Sequence, residues 1–222
     1  VALRDGFWFV RPDGSLERKV APAPYDPSHH RFNDGRCDPQ GRFLAGSMNE
    51  RRDAPTAALF RLDPDLTVRE VLSGMTISNG LAFSPDGRTM YHTDTPTRVV
   101  HAYDYDAATG TPARPRVVAR WSGETERPDG GAVDVEGCYW TAFYRGGRVL
   151  RIAPTGETLL DLPIPAMCPT MCAFGGPRLT TLYVTTARTG RDADELARLP
   201  HSGGLFALDV DVPGLPSIPF AG

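Results

Sequence analysis

Polar residues that could bind a metal ion stand directly before the glycine that opens an apolar strand at three places in the chain. These are Asp34, Asn79 and Asp129, with Asn33 one step before the first. Carboxylate and carboxamide oxygens are the ligands that hard divalent cations prefer. Each dipeptide alone is better explained as a turn, because Asn-Gly and Asp-Gly are common hairpin sequences. Their recurrence ahead of an apolar strand, with a separate turn after each strand, favours a metal site.

Arg31 lies two residues before Asn33, so on an extended strand the two side chains point to the same side. A guanidinium at this position could bind hydroxyl or carboxylate oxygens of a substrate, and it could equally be an ordinary surface arginine. The histidines show no ligand spacing, and no Gly-x-Ser-x-Gly elbow, GxGxxG or Walker A sequence is present. The sequence therefore gives no support to a serine hydrolase or a nucleotide-binding protein.

The elements that would position these residues form a repeat. A unit of an apolar strand, an Asp-x-x-Gly type of turn and an aromatic-rich strand places its turn glycines at Gly41, Gly87 and Gly137. A degenerate copy follows at 170–185, and residues 59–71 and 149–160 read as outer hairpins. Spacings of roughly 40–50 residues are typical of four-stranded propeller blades. We therefore predict an all-β propeller, in which equivalent residues of successive innermost strands converge at one channel mouth.

About four to five blades fit in the chain. Residues 7–16 read as the outer hairpin of a blade whose inner strands are absent, so we expect residues 1–222 to form a single β-propeller domain that is incomplete at its N-terminus. Helical periodicity is nearly absent, and only residues 192–199 predict a short helix within a loop.

The composition of the chain limits the classes of molecule that it could bind. The chain has 222 residues, a formal net charge of −3 and no basic run, which argues against nucleic acid and membrane surfaces. No segment has the length of a transmembrane helix. The four cysteines form no CxxC pair, so we predict buried free thiols and a cytoplasmic protein. We expect a monomer or a weak dimer.

The same residues resemble the family that contains regucalcin (senescence marker protein), the bacterial gluconolactonases and luciferin-regenerating enzyme. The matching segments are ordered along the chain at 31–35, 45–48, 77–81, 128–130, 144–149, 174–188, 203–206 and 220–222. This resemblance implies a six-bladed propeller with one divalent metal ion, Ca²⁺, Zn²⁺, Mn²⁺ or Mg²⁺, at the channel mouth.

The resemblance also implies roles for individual residues. Asn79 and Asp129 match two of the family's metal ligands, while the third, a glutamate, would lie before Val1. Arg31 and Asn33 match substrate-binding positions. After Met48, where members such as regucalcin often carry an acidic residue that contacts the substrate, Glu50 is the candidate.

The function implied is metal-dependent hydrolysis of a small-molecule sugar lactone to an aldonic acid. The metal would polarise the carbonyl group and activate a water molecule, and Asp129 would accept the proton. Two alternatives stay open: an esterase or phosphoesterase that uses the same site, and a non-catalytic calcium-binding propeller.

Overall fold

A computed structural model describes all residues from 1 to 222 as five antiparallel sheets. We call the sheets blades 1 to 5. Blade 1 has strands β1 (Ala2–Leu3), β2 (Gly6–Val10) and β3 (Leu16–Pro22); blade 2 has β4 (His30–Cys37), β5 (Phe43–Asn49), β6 (Ala57–Leu62) and β7 (Val68–Met75); blade 3 has β8 (Ser78–Phe83), β9 (Thr89–Asp94), β10 (Val99–Asp106) and β11 (Thr111–Arg120); blade 4 has β12 (Arg127–Val133), β13 (Tyr139–Tyr144), β14 (Arg148–Ile152) and β15 (Thr158–Pro163); blade 5 has β16 (Pro169–Gly175), β17 (Thr181–Thr186) and β18 (Leu205–Asp209). A 3-10 turn covers Thr95–Thr97, and the helix α1 spans Ala193–Arg198, as predicted.

Every blade is a meander whose strands pair in chain order. Successive blades meet through their first strands, because β4 contacts β8, β8 contacts β12, and β12 contacts β16. These first strands therefore lie around a common axis. The predicted all-β propeller is confirmed, and five blades are present in this chain.

The hydrophobic core lies between the blades. Tyr139 and Phe143 of β13 are fully buried in a cluster that spans blades 3 and 4, where Tyr139 stacks on Tyr91 at a centroid distance of 5.0 Å. Trp140, on the opposite face of the same strand, packs toward blade 5 against Phe174. Alternate residues of one strand thus serve two interfaces, which is why the strands read as apolar and aromatic throughout.

The predicted Asp-x-x-Gly turns close the first hairpin of a blade at the base of the propeller. In blade 4, Asp134 Oδ1 accepts hydrogen bonds from the backbone amides of Glu136 and Cys138, at 3.0 and 2.9 Å. Its Oδ2 accepts from Trp140 Nε1 at 2.9 Å and Arg151 Nε at 2.8 Å. The aspartate is completely buried, so the turn anchors three strands and holds the blade's axis-facing end in place.

The innermost strands share one irregularity. In β4, β8, β12 and β16 the ladder to the next strand slips by one residue near the mouth, so each innermost strand carries an extra residue there. The slip comes after Phe32 in β4, after Asn79 in β8, after Pro128 in β12 and after Pro169 in β16. Such bulges recur next to active sites because they re-aim side chains.

The bulges correct one sequence-based expectation. Spacing to the following glycine predicts Asp34, Asn79 and Asp129 at the same phase, just before their strands. They lie inside the strands, and the ladder makes Asn33, not Asp34, equivalent to Asp129, while Asn79 lies one residue earlier. The difference arises because the glycine of a bulge can occupy either of two neighbouring positions in the strand. The distance from a residue to the following glycine therefore does not define which residue it faces on the next strand.

The segment after β18 crosses the base of the propeller. Val135 donates a backbone hydrogen bond to Pro213 O, Gly214 donates to Leu179 O, and Ala221 donates to Gly41 O, each at 2.9 to 3.0 Å. With this segment, the base ends of the innermost strands line an apolar cavity of about 560 Å³. The base of the channel is therefore covered, and the polar residues lie at the other end.

All four cysteines are free thiols, and three of them are buried. Cys37 is half-buried. None of the helices has the length and apolar character needed to cross a lipid bilayer.

Candidate active site

A cavity of about 750 Å³ opens at the mouth of the channel. Arg31, Asn33, Asp34, Asn79 and Asp129 all line it, so residues from three blades that are nearly 100 positions apart come together as predicted. Its volume lies within the range of small-molecule sites, roughly 300–1,000 Å³. The lining is mostly polar, as a sugar-sized ligand requires.

Asn79 is held in one orientation by hydrogen bonds on both sides. Its Nδ2 donates to Thr95 Oγ1 at 2.8 Å, and its Oδ1 accepts from Asn33 Nδ2 at 2.8 Å. Thr95 in turn donates to the carbonyl oxygen of Pro128 at 2.9 Å. A chain of hydrogen bonds therefore links blades 2, 3 and 4 and ends at the residue before Asp129.

The backbone that carries Asn79 permits this close approach. Gly80 has a φ of +63°, a left-handed conformation that glycine adopts without cost, and a Cβ atom at this position would collide with the hydroxyl of Tyr139. That hydroxyl donates to Gly80 O at 2.8 Å and is buried. The Asn-Gly pair is thus a bulge that blade 4 clamps from the side, and not a hairpin turn.

Two carboxylates lie at the inner end of the cavity. Burial, and then the charge of Asp34, raise the pKa of Asp129 to about 8, opposed only by the Gly130 backbone amide and the distant charge of Arg31. Asp34 is buried and accepts the backbone N–H of Leu81 at 2.9 Å, and its burial raises the pKa of its carboxyl group too. No side chain donates a hydrogen bond to Asp129, which leaves a carboxylate without a partner facing the cavity.

These residues fit a hard divalent cation. Asn79 Oδ1 keeps one lone pair beyond its bond from Asn33, and the Asp129 carboxylate has no competing donor. No cluster of three or more His, Cys, Asp or Glu residues exists in the chain. A cation held by Asn79 and Asp129 would therefore complete its shell with water or substrate oxygens, as Mg²⁺ and Ca²⁺ commonly do.

Arg31 faces the cavity beside Asn33. Its Nη1 donates to Asn33 Oδ1 at 3.1 Å and to Phe32 O at 2.9 Å. Its Nε lies 3.5 Å from Glu50 Oε1. The arginine is thus fixed on one side and leaves part of its guanidinium open to a ligand.

Glu50 is the predicted residue that the cavity does not include. It forms a bidentate ion pair with Arg4 of blade 1, at 2.6 and 3.0 Å, and this pairing lowers the pKa of its carboxyl group. A carboxylate engaged by two arginines positions Arg31 more readily than it binds a sugar hydroxyl. Its substrate contact stays a prediction.

Four further cavity residues were not identified by spacing or motif: Thr95, Arg52, Arg127 and Arg145. Thr95 gives no sequence signal, because its role depends on how blade 3 packs on blade 4. Arg52 and Arg145 do have a sequence signal, because each follows the second strand of its blade by a few residues and the repeat makes those two loops equivalent.

A propeller with a polar, sugar-sized cavity at its channel mouth belongs to the class of propeller proteins that act on small molecules there. The chain belongs to the SMP-30/Gluconolactonase/LRE-like family, whose model matches residues 1–188.

Related proteins span a somewhat greater length than this chain. A Pseudomonas putida protein named 6-deoxy-6-sulfogluconolactonase is 46% identical over 224 residues, which covers 100% of this chain and 76% of that protein. Rabbit (Oryctolagus cuniculus) regucalcin is 39% identical over 211 residues and covers 91% of this chain and 70% of its own length. A Bacillus subtilis protein named as a sugar lactone lactonase, YvrE, is 36% identical over 224 residues, 100% of this chain and 76% of its own length.

Solved structures agree. A regucalcin from Agrobacterium tumefaciens, described as a calcium-binding protein, superposes with a TM-score of 0.92 at 29% identity, over 99% of this chain and 74% of its own. A luciferin-regenerating enzyme superposes with a TM-score of 0.83 at 30% identity, over 93% of this chain and 71% of its own. The predicted family and the predicted enzyme class, a hydrolase of lactone bonds like the gluconolactonases, are confirmed by these matches.

Proposed function

We propose that the protein hydrolyses a sugar lactone to the open aldonic acid with the help of one divalent cation. The observation that carries this proposal is the meeting of Asn79 and Asp129 with Arg31 and Asn33 in one sugar-sized cavity. The relatives named for sugar lactones support the substrate class, including one whose name specifies a gluconolactone that carries a sulfo group.

Asn79 Oδ1 and the Asp129 carboxylate would hold the cation. A divalent cation at this place supplies positive charge that polarises an ester carbonyl and makes water more acidic. Comparing turnover after addition of Ca²⁺, Zn²⁺, Mn²⁺ or Mg²⁺ to the metal-free protein identifies the cation that supports the reaction best.

The chain's own residues would perform the remaining chemistry. Arg31 and Asn33 would hold hydroxyl oxygens of the sugar, so that its ester carbonyl faces Asp129. Asp129 would take a proton from the attacking water as the water oxygen bonds to the carbonyl carbon. Burial raises the pKa of this carboxyl group in the metal-free protein, and a bound cation would lower that pKa and so favour the ionised form that accepts a proton. The ring C–O bond then breaks, its oxygen takes up the proton, and a carboxylic acid and a free hydroxyl result.

The test is a pH-indicator assay of gluconolactone opening by metal-free protein, before and after addition of each cation, with spontaneous hydrolysis subtracted. We expect turnover that requires metal and disappears in Asp129→Ala. Arg88→Gln, an exposed change at the base of the propeller, serves as the matched control and should leave turnover unchanged. Metal-dependent turnover by Asp129→Ala would refute the role of Asp129.

A calcium-binding propeller without catalysis is the second candidate, because the A. tumefaciens structure is described as a calcium-binding protein. Calorimetric Ca²⁺ binding without hydrolysis of any lactone or of simple carboxylic or phosphate esters would favour it. Ester or phosphoester turnover in place of lactone turnover would assign another substrate to the same residues.

We also propose that the five blades belong to a six-bladed ring within a single propeller domain, which the greater length of the relatives supports. The proposal further takes the protein to be cytoplasmic, a monomer or weak dimer, and without nucleic acid or membrane partners. Four free thiols, the net charge of −3 and the lack of a basic run in the sequence support this part.

A further inference from the structure

Three arginines that the reaction described above does not use stand around the cavity. Arg52, Arg127 and Arg145 line it together with Arg31, and each comes from the mouth side of a blade. We call these three residues the arginine rim. Arg52 and Arg145 are exposed, and Arg127 is half-buried.

The rim has no internal counter-charge. All ion pairs of the chain are formed by other residues, and the carboxylates nearest in sequence are already engaged: Glu126 pairs with Arg148 at 2.6 Å, and Asp53 accepts from Asn49 at 2.8 Å. Burial, and then the charges of Arg98, Arg145 and Arg52, lower the pKa of Arg127. Like charges have thus been gathered at one place, which costs free energy unless an anion binds there.

Arg52 and Arg145 of the rim lie in strained loops, as does Arg98, which is not a rim residue. Arg52, Arg98 and Arg145 occupy the loop between the second and third strands of blades 2, 3 and 4, and their φ angles are +57°, +59° and +61°. This left-handed conformation costs an ordinary L-residue roughly 1–2 kcal/mol, and glycine usually takes it. Strain of this kind in sparsely populated backbone regions concentrates at ligand-binding sites. Two of the three rim arginines, Arg52 and Arg145, therefore lie in strained loops at the mouth, which is consistent with a ligand-binding role.

We propose that the arginine rim binds an anionic group on the substrate, so that the preferred substrate is a sugar lactone carrying a sulfonate, phosphate or carboxylate remote from its ester. This inference rests on the lactone hydrolysis proposed above and adds the charge of the substrate to it. Arginine is suited to the task because its planar guanidinium donates paired hydrogen bonds to oxyanions. The ester would face Asp129 at the inner end of the cavity, and the anion would face the rim at its opening.

The test compares kcat/KM for gluconolactone with kcat/KM for its 6-phospho and 6-deoxy-6-sulfo forms and for a glucaric acid lactone. We expect the anionic forms to be preferred at low salt, with a preference that shrinks as ionic strength rises. Arg52→Gln, Arg127→Gln and Arg145→Gln should each lower kcat/KM for the anionic forms by roughly ten- to a hundredfold, because a hydrogen bond to a charged group is lost. The value for gluconolactone should change by no more than about twofold. The ranking among sulfonate, phosphate and carboxylate identifies the anion.

Binding of the product supplies a readout that needs no turnover. Calorimetry with 6-phosphogluconate and with gluconate, in the presence of chelator, should show tighter binding of the phosphorylated acid, reduced in the rim variants and unchanged in Arg88→Gln. Equal kcat/KM for neutral and anionic lactones, together with equal product affinities, overturns the rim proposal while lactone hydrolysis stands. Absence of hydrolysis of every lactone overturns the proposed function, and the product titration then decides the rim proposal alone.

Discussion

Thr95 should control how well the site binds metal, although it faces neither the cation nor the substrate in the mechanism proposed here. It accepts a hydrogen bond from Asn79 Nδ2 and donates one to Pro128 O, and it is buried. Thr95→Val keeps the shape of the side chain and removes both bonds. The Asn79 amide then has only Asn33 to hold it.

The magnitude follows from what the substitution leaves unpaired. A buried donor or acceptor without a partner costs about 1–3 kcal/mol, and two of them place the loss of folding free energy at roughly 2–6 kcal/mol. Residues that orient a metal ligand typically contribute about ten- to a hundredfold to metal affinity. We expect the dissociation constant for Mn²⁺ to rise by that factor and gluconolactone turnover at subsaturating metal to fall in parallel.

Urea unfolding and Mn²⁺ calorimetry separate the two effects. Thr93→Val is the matched control, because Thr93 is completely buried in the same blade and pairs with Asn79 across the β8–β9 ladder, but its hydroxyl donates to Val99 O at 2.7 Å and not to Asn79. It should lose stability, by about 1 kcal/mol, with unchanged metal affinity. Thr95→Ser should restore most of the affinity. A folded Thr95→Val protein that binds Mn²⁺ within about twofold of the original chain would refute the reasoning.

Three further predictions test the site and the scaffold. Asp129→Asn preserves volume but removes the proton acceptor, so kcat for gluconolactone should fall by at least about a hundredfold; a kcat within tenfold of the original would contradict the assignment. Asp134→Ala leaves the buried Arg151 with only the exposed Glu136 as its charge partner and should reduce the free energy of unfolding in urea by about 3–5 kcal/mol. Adding Arg151→Met should recover part of that loss rather than increase it. Burial lowers the pKa of His92 from 6.5 to about 4, so between these pH values the unfolded chain binds a proton at this residue and the folded chain does not. The free energy of unfolding should therefore decline by roughly 3 kcal/mol as the pH falls from 6.5 to 4. His92→Gln should flatten this decline, and an unchanged pH profile in that variant would contradict the prediction.

The propeller itself was predictable because its turns obey local rules. Gly41, Gly87 and Gly137 have φ angles of +77°, +67° and +80°, conformations that favour glycine wherever the chain folds. The aspartate of the turn is also a local signal, because the Asp134 side chain accepts hydrogen bonds from the backbone amides two and four residues ahead. Because the repeat places equivalent innermost strands around one axis, it also predicts that their polar residues meet at the channel mouth.

Register and cross-blade contacts were not predictable in the same way. A ladder that slips by one residue looks identical in sequence whether the slip precedes or follows Gly80, so the equivalence of Asn33 with Asp129 was missed. The bond from Asn79 to Thr95 depends on side-chain packing that no local pattern encodes. Glu50 illustrates the same limit, because Arg4, which engages it, lies 46 positions away on another blade.

The extra residue in each innermost strand has an evolutionary consequence. A residue on a bulge stands outside the regular ladder, so its side chain can change while the strands keep their pairing. Asn33, Asp129 and Thr170 occupy such positions, one in each of three blades, whereas the equivalent Gly80 is restricted to glycine by its φ of +63° and by Tyr139. Substitutions at sites that share no partner add nearly independently, so mutation could explore combinations at the mouth one blade at a time without passing through misfolded intermediates. A single scaffold can in this way give rise to proteins with different substrates, with the ring of bulges acting as its variable surface.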